Sequence, residues 1–79
     1  LLVEIYSSDE CIYCVNLKEW LDNKNIQYKE KNVSNKKLLE DLKNLGGIGI
    51  PFTVIKNGDQ THKVAGLNYK KLQKYLEID

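Results

Sequence analysis

Cys11-Ile12-Tyr13-Cys14, which holds both cysteines of the chain, follows an apolar run, Leu1-Leu2-Val3-Glu4-Ile5-Tyr6, and a polar break, Ser7-Ser8-Asp9-Glu10. Beyond it, Cys14, Leu17 and Leu21 recur at helical spacing as far as about Lys24, with Trp20 beside them. The apolar run from Leu2 to Tyr6 reads as a buried strand and the break as a loop, with Ser8, Asp9 and Glu10 available as helix caps. A helix that starts near Cys11 puts the first sulfur at its open N-terminus and the second one turn inside. Unpaired backbone N–H groups at a helix start stabilise an anion. The thiolate is the reactive form of cysteine and is such an anion. The spacing therefore points to Cys11 as a nucleophile and to Cys14 as a second thiol that closes a disulfide behind it.

Asn23 and Asn25 suit the end of this helix, because asparagine tolerates a left-handed cap. Residues 26–33 alternate weakly, with Ile26 and Tyr28 on one face and Lys29, Glu30 and Lys31 crowding them. That charge suits an edge strand. Ser34 or Asn35 can cap a second helix carried by Leu38, Leu39, Leu42 and Leu45, and Gly46-Gly47 stops it. Phe52 to Lys56 reads as a strand, Asn57-Gly58 as a two-residue hairpin turn, and Gln60 to Ala65 as a more polar returning strand. Gly66 makes a turn, and Asn68 caps a last helix with Tyr69, Leu72, Tyr75 and Leu76 inward.

The resulting order is β-α-β-α-β-β-α. Its opening βαβ unit implies a right-handed crossover between parallel strands, and the hairpin adds two antiparallel ones. The expected fold is α/β, a four-stranded mixed sheet flanked by three helices in one domain over residues 1–79. The cysteine pair falls at the carboxyl end of the first strand, where open α/β sheets place their sites.

Composition narrows the function. A net charge of +1 on 79 residues gives no electrostatic case for nucleic acid or an anionic membrane as partner. All twelve basic residues are lysine, so no guanidinium clamp for carboxylate or phosphate exists. There is no long apolar run and no signal-peptide pattern. Two cysteines are too few for a disulfide scaffold, which favours a reducing, cytoplasmic setting where a disulfide is transient and catalytic.

A C-x-x-C pair after the first strand of a βαβ pattern reads as a dithiol redox motif. The competing readings are half of a zinc site and a pair of inert core thiols. Zinc needs four ligands, and His62, in the polar strand of the hairpin, is the one histidine left to supply another. Inert thiols need neither this spacing nor this helix start. Pro51, the only proline, precedes the strand at Phe52 and alone reads as a strand initiator in trans. Trp20, Tyr28 and Phe52 read as core, Tyr69 and Tyr75 as a helix stripe, and Lys70, Lys71 and Lys74 as a solvated face.

Taken together, Cys11-Ile12-Tyr13-Cys14 on a helix start, Ile50-Pro51 before a strand, and Ala65-Gly66-Leu67-Asn68 before the last helix resemble the glutaredoxins and their thioredoxin-fold relatives over essentially the whole chain. The resemblance implies that Pro51 is cis and packs beside the cysteines. It implies that the backbone of Ile50 pairs with substrate, that Tyr13 is a recognition ring, and that Gly66, Leu67 and Asn68 lie where the family binds the γ-glutamyl end of glutathione. Ile12 replaces the usual proline of the motif, and Asn68 and Tyr69 replace an acidic pair. Ser8 and Ile48-Gly49 stand where the family places basic residues that hold the glycine carboxylate of glutathione.

The expected activity is thiol–disulfide exchange on protein or glutathione mixed disulfides, with no bound cofactor or metal and with the chain a monomer. The electron donor is either glutathione or, as in the ribonucleotide-reductase-coupled relatives, thioredoxin reductase. A reading of another class is a glutathione-dependent iron–sulfur cluster-binding module.

Overall fold

The computed structural model describes residues 1–78. Seven elements follow the chain: β1 (Leu2–Ser7), α1 (Ile12–Asn23), β2 (Lys29–Asn32), α2 (Lys36–Asn44), β3 (Phe52–Asn57), β4 (Gln60–Ala65) and α3 (Tyr69–Leu76). The order is the one the sequence implies. The strands form one sheet in the order β2-β1-β3-β4, with β1 parallel to β2 and antiparallel to β3, and β3 antiparallel to β4.

Strand alternation sends side chains to two layers of helices. On one face, Val3, Ile5, Ile55 and Val64 pack with Leu17 and Leu21 of α1 and Leu72 and Leu76 of α3. On the other, Tyr6, Phe52 and Val54 pack with Leu42 of α2, flanked by Leu39, Leu45 and Ile50. The sheet is thus the middle of three layers, and each face has its own cluster. Trp20, Tyr28, Tyr69 and Tyr75 pack against the first cluster and Phe52 belongs to the second, as the sequence suggests.

Two boundaries differ from the sequence reading, and a choice it left open for the cap of α2 is settled. The second strand is only Lys29–Asn32, not residues 26–33, because residues 24–26 are spent closing α1. Asn25 takes φ 59°, the N–H of Asn25 reaches the carbonyl of Asp22, and that of Ile26 reaches the carbonyl of Leu21. These are the two bonds of a Schellman ending, which satisfies carbonyls the helix leaves open. The hairpin turn is shifted by one residue. Asn57 pairs with Gln60, so the central residues are Gly58 and Asp59, and only Gly58 has positive φ, the pattern of a type II′ turn. Finally, Asn35 rather than Ser34 caps α2, accepting from the N–H groups of Lys37 and Leu38.

Gly46-Gly47 ends α2 by the same Schellman pattern. Gly46 carries φ 85°, and the N–H of Gly47 donates to the carbonyl of Leu42 at 3.0 Å. This ending fixes where the chain leaves α2 for the segment Ile48-Gly49-Ile50-Pro51.

Candidate active site

Cys11 itself is the N-cap of α1. Its backbone is extended (φ −96°, ψ 109°), and its Sγ accepts the N–H of Cys14 at 3.2 Å. The sulfur occupies the place an oxygen of serine or aspartate usually takes. This corrects the expectation that Ser8, Asp9 or Glu10 caps the helix: Ser8 instead lends its carbonyl to the N–H of Cys11 at 3.4 Å, and Asp9 accepts from the amide of Asn32 at 3.1 Å. A sulfur at this position lies at the end of the helix where the backbone N–H groups point outward.

The two thiols are free and differ in access. Cys11 is partly exposed, whereas Cys14 is 0% exposed. Burial pushes the Cys14 thiol up from its ordinary 9.0 to about 11, helped by its hydrogen bond with and the charge of Cys11. A backbone hydrogen bond from Ser8 and the charge of Lys18 pull the other way.

The sheet register brings the other sequence candidates to the same end of the molecule. Tyr6 of β1 pairs with Phe52 of β3, and Phe52 pairs with Ala65 of β4. One residue beyond this row lie Ser7, which leads into the cysteine loop, Pro51 and Gly66. The Ile50–Pro51 bond is cis, and the N–H of Gly66 donates to the carbonyl of Pro51 at 2.9 Å. Pro51 is buried and Ile50 half-buried. Among the described residues, neither the N–H nor the carbonyl of Ile50 takes part in a backbone hydrogen bond.

Tyr13 stands out on the surface at 60% exposure, next to exposed Ile12. Leu67 is half-buried against the core, and Asn68 spends its side-chain oxygen capping α3 through the N–H of Lys71 at 3.2 Å. His62 lies farther along β4 and stacks on Tyr75, ring centroids 4.0 Å apart and planes within 7°.

Two features carried no mark in the sequence reading. The first is an apolar groove of about 420 Å³ beside Ile50, walled by Val33, Leu39, Leu42 and Ile48. Ile48 projects fully into solvent at its edge, at 104% exposure. The second is a polar cluster beneath the cysteine helix. Glu30 Oε2 accepts the hydroxyl of buried Ser7 at 2.8 Å and also receives the ammonium of Lys18. Lys18 and then Ser7 hold the Glu30 carboxyl below its ordinary range, and Glu30 raises the Lys18 ammonium in return. The one available signal was the four-residue step from Cys14 to Lys18, which puts both on one helix face.

A mixed four-stranded sheet with three helices and a dithiol at the first helix start defines a thioredoxin-like fold. Solved structures agree. A mutant of the thioredoxin-like protein BC3987 superposes with a TM-score of 0.84 at 32% identity, over 98% of this chain and 96% of that one. The glutaredoxin-like protein NrdH-redoxin from Escherichia coli superposes at 0.77 with 20% identity, over 94% and 93%. A glutaredoxin from Archaeoglobus fulgidus superposes at 0.72 with 18% identity, over 94% and 84%. No curated protein sequence matches the chain. The sequence profile of the Glutaredoxin family matches residues 3–59, and the chain belongs to that family. Family membership implies thiol oxidoreductase activity. Among the described residues no helix is long and apolar enough to cross a membrane.

Proposed function

We propose that the chain reduces disulfide bonds in protein substrates through Cys11 and Cys14. The observation that carries this reading is the hydrogen bond from the Cys14 N–H to Cys11 Sγ, with Cys11 accessible and Cys14 buried behind it. The Cys11 thiolate attacks one sulfur of a substrate disulfide. A Cys11–substrate disulfide forms, and the displaced sulfur leaves with the electron pair and takes up a proton. Cys14, deprotonated, then attacks Cys11 Sγ, releases the second substrate sulfur, and leaves a Cys11–Cys14 disulfide. Two electrons from an external reductant restore the dithiol. Ile50, with its free backbone groups, lies where an extended substrate strand can pair, and Tyr13 offers a ring beside it. Gly66, Leu67 and Asn68 complete the rim.

The reductant we favour is thioredoxin reductase rather than glutathione. Ser8 and the Ile48-Gly49 pair are uncharged where the family holds the glycine carboxylate of glutathione, and the neighbouring groove is walled mainly by aliphatic side chains, with Lys43 its single cation. Each missing charge-assisted contact forgoes about 1.5–3 kcal/mol. The NrdH-redoxin of similar fold is described as having a thioredoxin-like activity profile. The test is reduction of a disulfide substrate such as insulin, run in parallel with NADPH plus thioredoxin reductase and with glutathione plus its reductase. Faster turnover in the first arm is expected. Turnover in neither arm overturns the reductase reading, and faster turnover with glutathione overturns the choice of donor.

A further inference from the structure

The reaction proposed above needs two thiolates in succession, and the fold treats them differently. Cys11 sits at a helix start with an N–H on its sulfur. Cys14 is buried, so solvent contributes little to stabilising its charge. Part of what keeps Cys14 protonated is Cys11 itself, through a hydrogen bond and its charge. Once Cys11 has entered a mixed disulfide its negative charge is gone. Burial is then opposed by two things, the backbone hydrogen bond from Ser8 and the charge of Lys18.

Lys18 lies four residues after Cys14 on α1, on the same helix face. A free lysine there would swing into water on its four-carbon stem. This one is held. Its ammonium meets Glu30 Oε2, and Glu30 is fixed in turn by the hydroxyl of Ser7, a wholly buried residue at the end of β1. The titratable groups acting on Cys14 are Cys11, the N-cap of α1, and Lys18, within it. Those acting on Lys18 are Glu30 from β2, Tyr28 from the segment before it, and Asp9 from the cysteine loop. Tyr28 is neutral near pH 7, since burial and Asp22 raise it above its ordinary value.

We propose that Lys18, clamped by Glu30 and Ser7, is a positioning residue for the resolving step, its ammonium stabilising the Cys14 thiolate that attacks the mixed disulfide. The inference rests on the dithiol reading of the site. The step needs no further reactant: Cys14 gives its proton to solvent, its sulfur bonds to Cys11 Sγ, and the substrate sulfur departs with the electron pair and is reprotonated.

An aromatic disulfide, 5,5′-dithiobis(2-nitrobenzoic acid), separates the two steps in one trace. Reduced protein releases one coloured thiolate when Cys11 attacks and a second, at a rate independent of reagent concentration, when Cys14 resolves. Loss of one unit of Cys14 acidity cuts its thiolate tenfold and raises its intrinsic nucleophilicity about threefold, so resolution slows about threefold per unit near pH 7. For Lys18→Met we expect the second phase slowed about threefold at pH 7, the gap narrowing only as pH rises through the Cys14 value. The first phase is expected to hold, and Lys18→Arg to restore the second. Lys18→Gln, which removes the charge but can still hydrogen-bond to Glu30, is expected to slow the second phase likewise, and it carries the test if Lys18→Met does not fold. A wild-type trace without a second phase overturns the dithiol reading itself. A two-phase wild type whose variants keep the same resolving rate and pH profile, with only the melting temperature moved, overturns the role of Lys18 and makes the pair a strut between α1 and β2.

Discussion

The backbone N–H of Cys14 donates to the Sγ of Cys11 across 3.2 Å, so the hidden residue of the pair supports the accessible one. This arrangement sets an order of reactivity. Cys11 is open to solvent, whereas Cys14 is buried and pushed up to about 11. With limiting iodoacetamide at pH 8, one adduct is expected, on Cys11, with Cys14 labelled at least about tenfold more slowly until the protein is unfolded. Peptide mass mapping over time reads this directly, and equal labelling of both cysteines would contradict it.

Removing each sulfur in turn is expected to give different defects. Cys11→Ser leaves no accessible nucleophile and abolishes turnover. Cys14→Ser keeps the first attack but accumulates a covalent Cys11 adduct with the substrate, visible as a mass increase reversed by dithiothreitol. A Cys14→Ser protein that turned over a protein disulfide like wild type would refute the two-thiol scheme.

Stability at high pH depends on the oxidation state. Because the folded-state value of Cys14 is raised, the reduced fold binds its proton more tightly than the unfolded chain does. The associated stability is complete below about pH 9 and is lost as pH rises towards 11. At 1.36 kcal/mol per unit, the rise from 9.0 to about 11 corresponds to on the order of 2–3 kcal/mol. Urea titrations between pH 8 and 11 should show this fall for reduced wild type and a shallower one for Cys14→Ala.

The acid side belongs to carboxylates. Burial pushes Glu4 up, but Lys31 at 2.9 Å and Lys56 at 3.5 Å outweigh it, and the net shift is downward. Glu30 is lowered as well, by Lys18 and then Ser7. A depressed folded-state value gives stability that is present above about pH 4.5 and is lost as pH falls through the lower folded value. Thermal unfolding from pH 6 to pH 2 should show that loss, with a shallower slope in Glu4→Gln.

A single hydroxyl in the core offers a stabilising substitution. Thr53 is wholly buried on β3, and among the described residues its Oγ1 has no hydrogen-bond partner. An unsatisfied buried polar atom costs about 1–3 kcal/mol. Thr53→Val keeps the branched shape and removes that atom, so a gain of about 1 kcal/mol is expected, or about 4–8 °C in Tm for a chain of this size. A loss of stability would mean that the hydroxyl has a partner in solution.

The fold was legible where patterns were local. The leucines spaced along α1 and α2, the paired glycines after Leu45 and the asparagines at positions 35 and 68 each announce an element or its end. The errors lay where chain geometry outranks composition. Ile26 looks like strand but serves the Schellman ending of α1, and Asn57-Gly58 looks like a complete turn but contributes only Gly58 to its centre. The cysteine pair and Pro51 could be singled out because each is chemically distinctive. The pairing of Lys18 with Glu30 could not, since it joins a helix to a strand twelve residues away. Lysine and glutamate are also common on any surface. The full exposure of Ile48 could not be read either, because an isoleucine between glycines gives no sign of whether it points inward.

The two hydrophobic clusters on opposite faces of the sheet divide the molecule's tolerance to change. Leu17 and Leu21 anchor the helix that carries the sulfurs, whereas Leu42 and Phe52 anchor the segment that carries Ile50 and Pro51. The sheet between them buffers each cluster from substitutions in the other, so the groove side and the sulfur-bearing helix can vary separately.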